Sequence, residues 1–312
     1  MATGWQNIDD SRYYFHPDGV MAKGFTEIGG YFFHFEADGT VTTGDAVIDG
    51  AQYLFLQNGA MFTGWTDRDG VRYHYLPDGT RASGWQNIGD KWYFFAEDGA
   101  MQTGWLTQGE YSYYLHPEGD AAVGPTEIDG ATHYFTPRGI EVILVNAKNP
   151  VPSYYEMNLV NVTGWHDVDA RCYDALVQML ADCNAAGIEY NFNSAYRTIA
   201  EQTAILELRT QEHMASGGLD YYTAYAKALQ TVAVPGTSEH HLGLAVDLLG
   251  NDAIAWFTEH CWDYGFIVRY TDDKKHITGI IHEPWHFRYV GTEVSLDLKD
   301  SGLCLEEYLG AV

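Results

Sequence analysis

Glycine returns every twenty residues through the first half of the chain, at 4, 24, 44, 64, 84, 104 and 124. A second series falls at 19, 39, 59, 79, 99, 119 and 139, each a few residues after an aromatic triplet such as Tyr13-Tyr14-Phe15, Tyr93-Phe94-Phe95 or Tyr113-Tyr114-Leu115. A unit this short cannot bury its own rings. It must stack on its neighbours, which makes the first half a solenoid. The strong β-formers of each triplet, bounded by Asp-Gly, predict one β-hairpin per unit. Stacking then leaves a pocket between units, lined by rings from adjacent repeats.

The period stops near Arg138-Gly139, and the chain runs on to residue 312, enough for roughly two domains. With 46% hydrophobic and 15% aromatic residues, both parts can build a core, and disorder is excluded. The formal net charge is -26. Residues 1–140 carry 7 Lys+Arg against 19 Asp+Glu, and the rest 10 against 24, so each half repels a phosphate backbone. Nucleic acid is therefore not an expected partner. No run approaches the roughly 18 apolar residues of a membrane helix, so no transmembrane segment is expected. The first repeat begins at once and no signal peptide is visible; a secreted protein loses such a segment on maturation. Cys172, Cys183, Cys261 and Cys304 lack the paired spacing of a zinc–thiolate site and read as buried thiols or a disulfide.

The stretch GWQNIGDKWYFFAEDGAMQTGW (84–105) resembles the choline-binding and glucan-binding repeats of Gram-positive cell-surface proteins, and the likeness covers residues 1 to about 140. It implies an N-terminal β-hairpin solenoid that holds the protein to the wall. Such repeats cage a quaternary ammonium by cation–π attraction. The cage uses the Trp after the glycine, the aromatic before the triplet and the Trp of the next repeat. The position before the triplet is here Arg12, Phe32, Gln52, Arg72, Trp92, Ser112 and Thr132. Only the 85–105 unit has the full set, Trp85, Trp92, Tyr93, Met101 and Trp105, and it is the expected wall-ligand site. Choline-bearing teichoic acid or a wall glycan is the implied partner. In most other units the rings are expected to form only the stacking core.

Beyond the repeats, residues 143–155 have two prolines and no period, and read as a linker. Residues 168–187 place Val168, Cys172, Leu176, Met179, Leu180 and Cys183 on one helical face, ended by Gly187. Residues 188–197 suggest a strand running into Arg197. Thr198 and Glu201 form a capping-box signature for a following helix. Residues 252–265 read as a helix, and 266–270 and 276–281 as strands. Helices and strands mix without a βαβ rhythm, which predicts an α+β domain.

Within it, SEHHLGLAVD (238–247) sets two histidines ahead of an acid. Read as a strand, 242–247 puts Gly243, Ala245 and Asp247 on one face, where Asp247 has open space before it. A buried carboxylate needs a partner or a metal, and the histidines upstream favour a metal. Periodicity does not choose between His240 and His241, because Gly243 can break the strand. In HEPWHFRYVG (282–291), Pro284 keeps Glu283 out of the helical region. Two histidines and a carboxylate would leave a fourth zinc position for water. An additional Glu off the metal would serve as general base.

These segments resemble the VanY-type D-alanyl-D-alanine carboxypeptidases, in the zinc peptidase superfamily that includes lysostaphin and sonic hedgehog. The match is to S-x-H-x(2)-G-x-A-x-D at 238–247 and to E-x-W-H at 283–286. SAYR (194–197) answers S-G-Y-R, with Ala195 for Gly, and the likeness runs from about 143 to 310. The resemblance implies zinc held by His240, Asp247 and His286, with His241 a bystander. It implies Glu283 as catalytic base, Arg197 as anchor for the terminal carboxylate of the substrate, and Ser238 beside the substrate. His166, His213, His260, His276 and His282 are expected in ordinary surface or core roles. The implied organisation is a wall-binding repeat domain (1–142) and a zinc α+β peptidase domain with an antiparallel sheet (143–312). The implied activity is removal of the terminal D-alanine from peptidoglycan stem peptides, by an extracellular, wall-associated enzyme. An endopeptidase cutting within the stem or cross-bridge, and a non-catalytic wall-binding protein, are the alternatives. An L,D-bond is as open as a D,D-bond.

Overall fold

The computed structural model describes residues 2–312. Seven two-stranded antiparallel hairpins follow the glycine period, from Gly4–Ile8 with Ser11–Phe15 to Gly124–Ile128 with Ala131–Phe135. The turn between the two strands uses left-handed backbone, as at Asp9 (φ 48°) and Asp10 (φ 62°). Such a turn matches the right-handed twist of the strands it joins. In the first six repeats the residue before the triplet also carries the stitch to the next repeat. The carbonyl of Arg12 accepts from Val41 N at 2.9 Å, that of Arg72 from Met101 N at 2.9 Å, and that of Trp92 from Ala121 N at 2.8 Å.

The chain groups into two compact units. One comprises the residues up to Leu106 together with Tyr114–Ala121; the other comprises Thr107–Tyr113 and Ala122–Val312. The second unit thus takes in the tip of the sixth hairpin and all of the seventh. Within it Tyr289 Oη donates to Glu110 Oε2 at 2.7 Å, Glu293 N donates to Tyr111 Oη at 3.2 Å, and Arg138 pairs with Asp297 at 2.8 Å. The ring of His133 stacks on Tyr154 at 4.1 Å.

The rest of the second unit is α+β, with strands β1 (Leu159–Thr163), β2 (His166–Asp169), β3 (Asn191–Ser194), β4 (Ala245–Leu249), β5 (Phe266–Val268) and β6 (His286–Tyr289). Its helices are α1 (Ala170–Ala185), α2 (Ile199–Gly217), α3 (Tyr221–Ala228), α4 (Asn251–His260), α5 (Lys275–Thr278), α6 (Thr292–Ser301) and α7 (Leu305–Tyr308). Strands β3, β4, β6 and β5, in that order, form one antiparallel sheet. Val246, Leu248 and Phe287 point into a core shared with Cys172, Leu176 and Met179 of α1 and Phe257 of α4. The side-chain alternation of a strand sends Asp247, His286 and Arg288 to the opposite face.

Several boundaries differ from the sequence reading. Residues 276–281 are not a strand: Lys275–Thr278 makes one helical turn, ended by Gly279 in the left-handed region (φ 76°). A short apolar run has no period long enough to choose between the two states. The helix expected over 252–265 stops at His260 and tightens into a 3-10 turn, Cys261–Tyr264. The strand at 266–270 ends at Val268, and that at 188–197 is confined to Asn191–Ser194. All four cysteines are buried free thiols, so the thiol alternative holds. Among the described residues no helix is long and apolar enough to cross a membrane.

Candidate active site

The site forms on the open face of the four-stranded sheet. Asp247 in β4 lies between Ser194 of β3 and His286 of β6 in the cross-strand register. Residues 239–242 are a 3-10 turn rather than strand, closed by Gly243 (φ 68°), so β4 begins only at Ala245. That turn separates the paired histidines. His240 swings towards Asp247. His241 is fully engaged with backbone: its Nδ1 donates to Arg197 O at 2.7 Å, and its Nε2 accepts from Gly236 N at 3.1 Å.

His240, Asp247 and His286 are all buried, and one ligand atom of each lies within 4.8 Å of the others. The hydrogen bonds fix the tautomers. His240 Nδ1 is 2.7 Å from the carbonyl of Ala195, which takes its proton and leaves the Nε2 lone pair 3.4 Å from Asp247 Oδ1. His286 is turned the other way. Its Nε2 lies 3.3 Å from Glu239 Oε2, and its Nδ1 lies 3.2 Å from the same Asp247 oxygen. Asp247 Oδ1 is buried and receives no hydrogen bond. Three lone pairs thus converge on one point. They repel one another unless a cation lies between them, and two nitrogens and a carboxylate oxygen suit zinc. Burial pushes the His286 imidazole down, but the proximity of Asp247 and Glu239 outweighs it and raises its pKa to about 9. Burial alone would raise the Asp247 carboxyl, yet the charge of His240 and His286 holds it well below the usual carboxylate range. Burial lowers His240.

Glu283, His240 and His286 line one cleft of about 600 Å³, together with Arg197, Ser238 and Asp247. Glu283 is buried, and burial raises its carboxyl to about 7. Arg197 closes the junction between β3 and α2, where the Thr198–Glu201 capping box is formed as expected. Its Nε donates to Ser194 Oγ at 2.7 Å, its Nη2 to Asp247 Oδ2 at 2.7 Å, and its Nη1 approaches Gln202 Oε1 at 3.3 Å. A guanidinium has five N–H donors. One proton on each Nη remains, enough for an end-on pair to a carboxylate.

The sequence reading missed Glu239. It is fully buried and bonded to Arg269 Nε at 2.8 Å and Arg288 Nη1 at 2.9 Å as well as to His286. Burial would raise its carboxyl, but the two arginines hold it well below the usual range. Arg269 is in turn held by Glu306 Oε1 at 2.6 Å. This ionic core fixes the ring of His286 and its tautomer, the task of an outer-shell carboxylate at a metal centre. His213 also lines the cleft, while His166 stacks on Phe192 and His260 packs at a tilt against Trp256.

In the repeats, Trp85 packs edge-on against Phe94 at 5.3 Å and Trp105 against Tyr114 at 5.3 Å. Tyr93 packs against Trp65 of the preceding repeat at 5.0 Å. Met101 lies against Gly119 so closely that a Cβ there would collide with its thioether. Trp92 and Trp105 are 43% and 46% exposed.

Two histidines and an aspartate meet on one face of an antiparallel sheet with Glu283 lining the same cleft, an arrangement that suits a mononuclear metallohydrolase. Residues 165–292 match the VanY family model, D-alanyl-D-alanine carboxypeptidase, and residues 2–44 and 82–124 match the choline-binding repeat. The chain is 42% identical over 177 residues to a D-alanyl-D-alanine carboxypeptidase of Enterococcus faecalis, covering 54% of this chain and 65% of that protein. It is 34% identical over 189 residues to the bifunctional D-Ala-D-Ala dipeptidase and D-Ala-D-Ala carboxypeptidase VanXYC of Enterococcus gallinarum, covering 53% of this chain and 91% of the relative. Among solved structures, a mutant of the vancomycin-resistance D,D-pentapeptidase VanY in complex with Zn(II) superposes with a TM-score of 0.52 at 41% identity, over 54% of this chain and 97% of that one. VanYB in complex with D-alanine-D-alanine gives the same TM-score and identity, over 54% and 96%. The chain belongs to the VanY D-alanyl-D-alanine carboxypeptidase family. It spans about two thirds of the Enterococcus faecalis relative and 57% of a second, from Enterococcus faecium.

Proposed function

We propose that this protein is a zinc D-alanyl-D-alanine carboxypeptidase that removes the terminal D-alanine from peptidoglycan stem peptides. The observation that carries the reading is the convergence of three acceptor atoms, on His240, Asp247 and His286, beside the buried Glu283. His240 Nε2, Asp247 Oδ1 and His286 Nδ1 would hold the zinc. The ion, when bound, supplies a Lewis acid for the scissile carbonyl and an acidified water. Glu283 takes the proton of the attacking water on a carboxylate oxygen and returns it to the nitrogen of the leaving D-alanine. Arg197, already oriented by Ser194 and Asp247, offers its outer edge to the terminal carboxylate of the substrate. Ser238 adds a hydroxyl to the same wall.

Residues 1–142 act as the wall-binding part and 143–312 carry the chemistry. The repeats hold choline-bearing teichoic acid or a wall glycan, with Trp85, Trp92, Met101 and Trp105 as the ligand site; Tyr93, expected there, packs instead on Trp65 of the preceding repeat. The protein works outside the cell, associated with the wall.

The test is incubation of the zinc-loaded chain with a defined stem pentapeptide ending in D-Ala-D-Ala, and with its C-terminal amide. Mass spectrometry should show loss of a single D-alanine from the free acid and little cleavage of the amide. Internal cuts would support an endopeptidase instead. An intact peptide after zinc loading would leave a wall-binding protein without this activity.

A further inference from the structure

The residue before each aromatic triplet varies, and in two repeats it is arginine. Both guanidinium groups lie over the indole of their own repeat. Arg12 Cζ is 3.7 Å from the ring centroid of Trp5, and Arg72 Cζ is 4.6 Å from that of Trp65. The next hairpin walls in both indoles in the same manner. Phe33 and Phe35 approach Trp5 at 4.9 and 5.8 Å; Tyr93 and Phe95 approach Trp65 at 5.0 and 5.9 Å.

These arginines are not loose surface groups. The carbonyl of each accepts the backbone bond that joins successive repeats, so the Cα is fixed. Arg12 Nη1 donates to the carbonyl of Asn58 at 2.5 Å, two repeats further on. Arg72 Nε is buried without a hydrogen-bond partner, with the Asp67 carboxylate 3.9 Å away. A cation over an indole face, inside a wall of rings, makes the attraction that an external organic cation would seek there. Two repeats independently place a positive charge on the same spot of the same repeat geometry.

We propose that the Trp5 and Trp65 faces are organic-cation sites that the chain holds closed with its own Arg12 and Arg72. The guanidinium takes the position of a quaternary ammonium, so these repeats contribute to the stack but not to ligand capture. This inference rests on reading the repeats as a cation-binding wall module. It makes the number of ligands bound smaller than the number of repeats, and it makes Arg12 and Arg72 the residues that set that number.

The test uses the full-length chain and choline, with tetramethylammonium as a headgroup-only probe. Binding is counted by equilibrium dialysis. Arg12→Ala and Arg72→Ala are each expected to bind one more choline per chain than wild type, and Arg12→Lys and Arg72→Lys to keep the wild-type count. Adding Trp65→Ala to Arg72→Ala should abolish the gain. Folded alanine variants with no additional choline overturn the proposal. A second measurement covers variants that fail to fold. In the wild-type chain the indole N–H signals of Trp5 and Trp65, assigned by single Trp→Phe replacements, should stay in place at saturating choline; a saturable shift of either overturns the proposal. If wild type binds choline and the variants gain nothing, only this inference falls. If wild type binds none and the variants gain a site, this inference stands and the 85–105 ligand site falls. If neither binds, both fall.

Discussion

His240 and His241 are adjacent in sequence and end in different tasks because a 3-10 turn, not a strand, carries them. The choice between them was not legible from periodicity; only the motif register, counted from Ser238, pointed to His240. Asp247 and Glu283 were legible, since an acid on a face otherwise lined by Gly and Ala and an acid held extended by Pro284 both stand out. Glu239 was not, because the arginines that neutralise it lie 30 and 49 residues away. Glu239→Gln should weaken zinc binding by about 10–100-fold, as loss of an outer-shell carboxylate does. Chelator competition measures this, and an unchanged affinity would free His286 from Glu239. Glu283→Ala should keep zinc and fold but lose about 10²–10⁴-fold in turnover, read from single-turnover kinetics on the metal-loaded variant. Glu283 also leaves a mark on the metal-free protein. Its carboxyl rises from 4.5 to about 7 on folding, so the fold prefers the neutral acid. That stability is present below pH 4.5 and is lost as pH rises through 7, up to about 3 kcal/mol. Urea denaturation of chelated protein should show Glu283→Gln escaping this loss, with equal slopes for both proteins counting against the buried neutral acid.

At the scale of elements, the reading succeeded where a pattern ran long enough. The apolar face of α1 formed from Cys172 to Cys183, while Val168, expected on it, lies in the preceding strand β2; the capping box of α2 formed as expected. It failed at 276–281, where six residues carry no decisive period and Gly279 ends a helical turn. Gly243 shows how much one backbone angle positions. It takes φ 68°, and a Cβ there would meet Asp169 N at 2.8 Å. Left-handed backbone costs an ordinary residue about 1–2 kcal/mol, and the clash adds to it. Gly243→Ala should therefore lower stability by at least about 1–2 kcal/mol and weaken zinc binding, because the turn sets where His240 and Asp247 meet. Chemical denaturation and zinc titration check both; a stable variant with wild-type affinity would contradict the role of this turn.

For the whole molecule, the twenty-residue period made the hairpin array legible at once, since the repeat itself is the fold. What the period hid is that the last hairpins belong to the compact unit that holds the site. Bonds such as Tyr289 to Glu110, 179 residues apart, have no local signature. A protein trimmed to 143–312 keeps every proposed catalytic residue, yet loses Glu110, Tyr111 and Arg138 as partners of β6 and α6. It should melt several degrees below a protein trimmed to 104–312, since each 1 kcal/mol shifts the midpoint of a domain this size by about 2–4 °C. Equal melting points by calorimetry would make the hairpins dispensable. The central claim, that His240, Asp247 and His286 form the metal centre, is tested most directly by anomalous scattering at the zinc edge from crystals of the zinc-loaded chain. The account predicts a single strong peak, at about 2.0–2.2 Å from His240 Nε2, His286 Nδ1 and an Asp247 oxygen. A peak at His241 or at a cysteine, or none in that cleft, would contradict it.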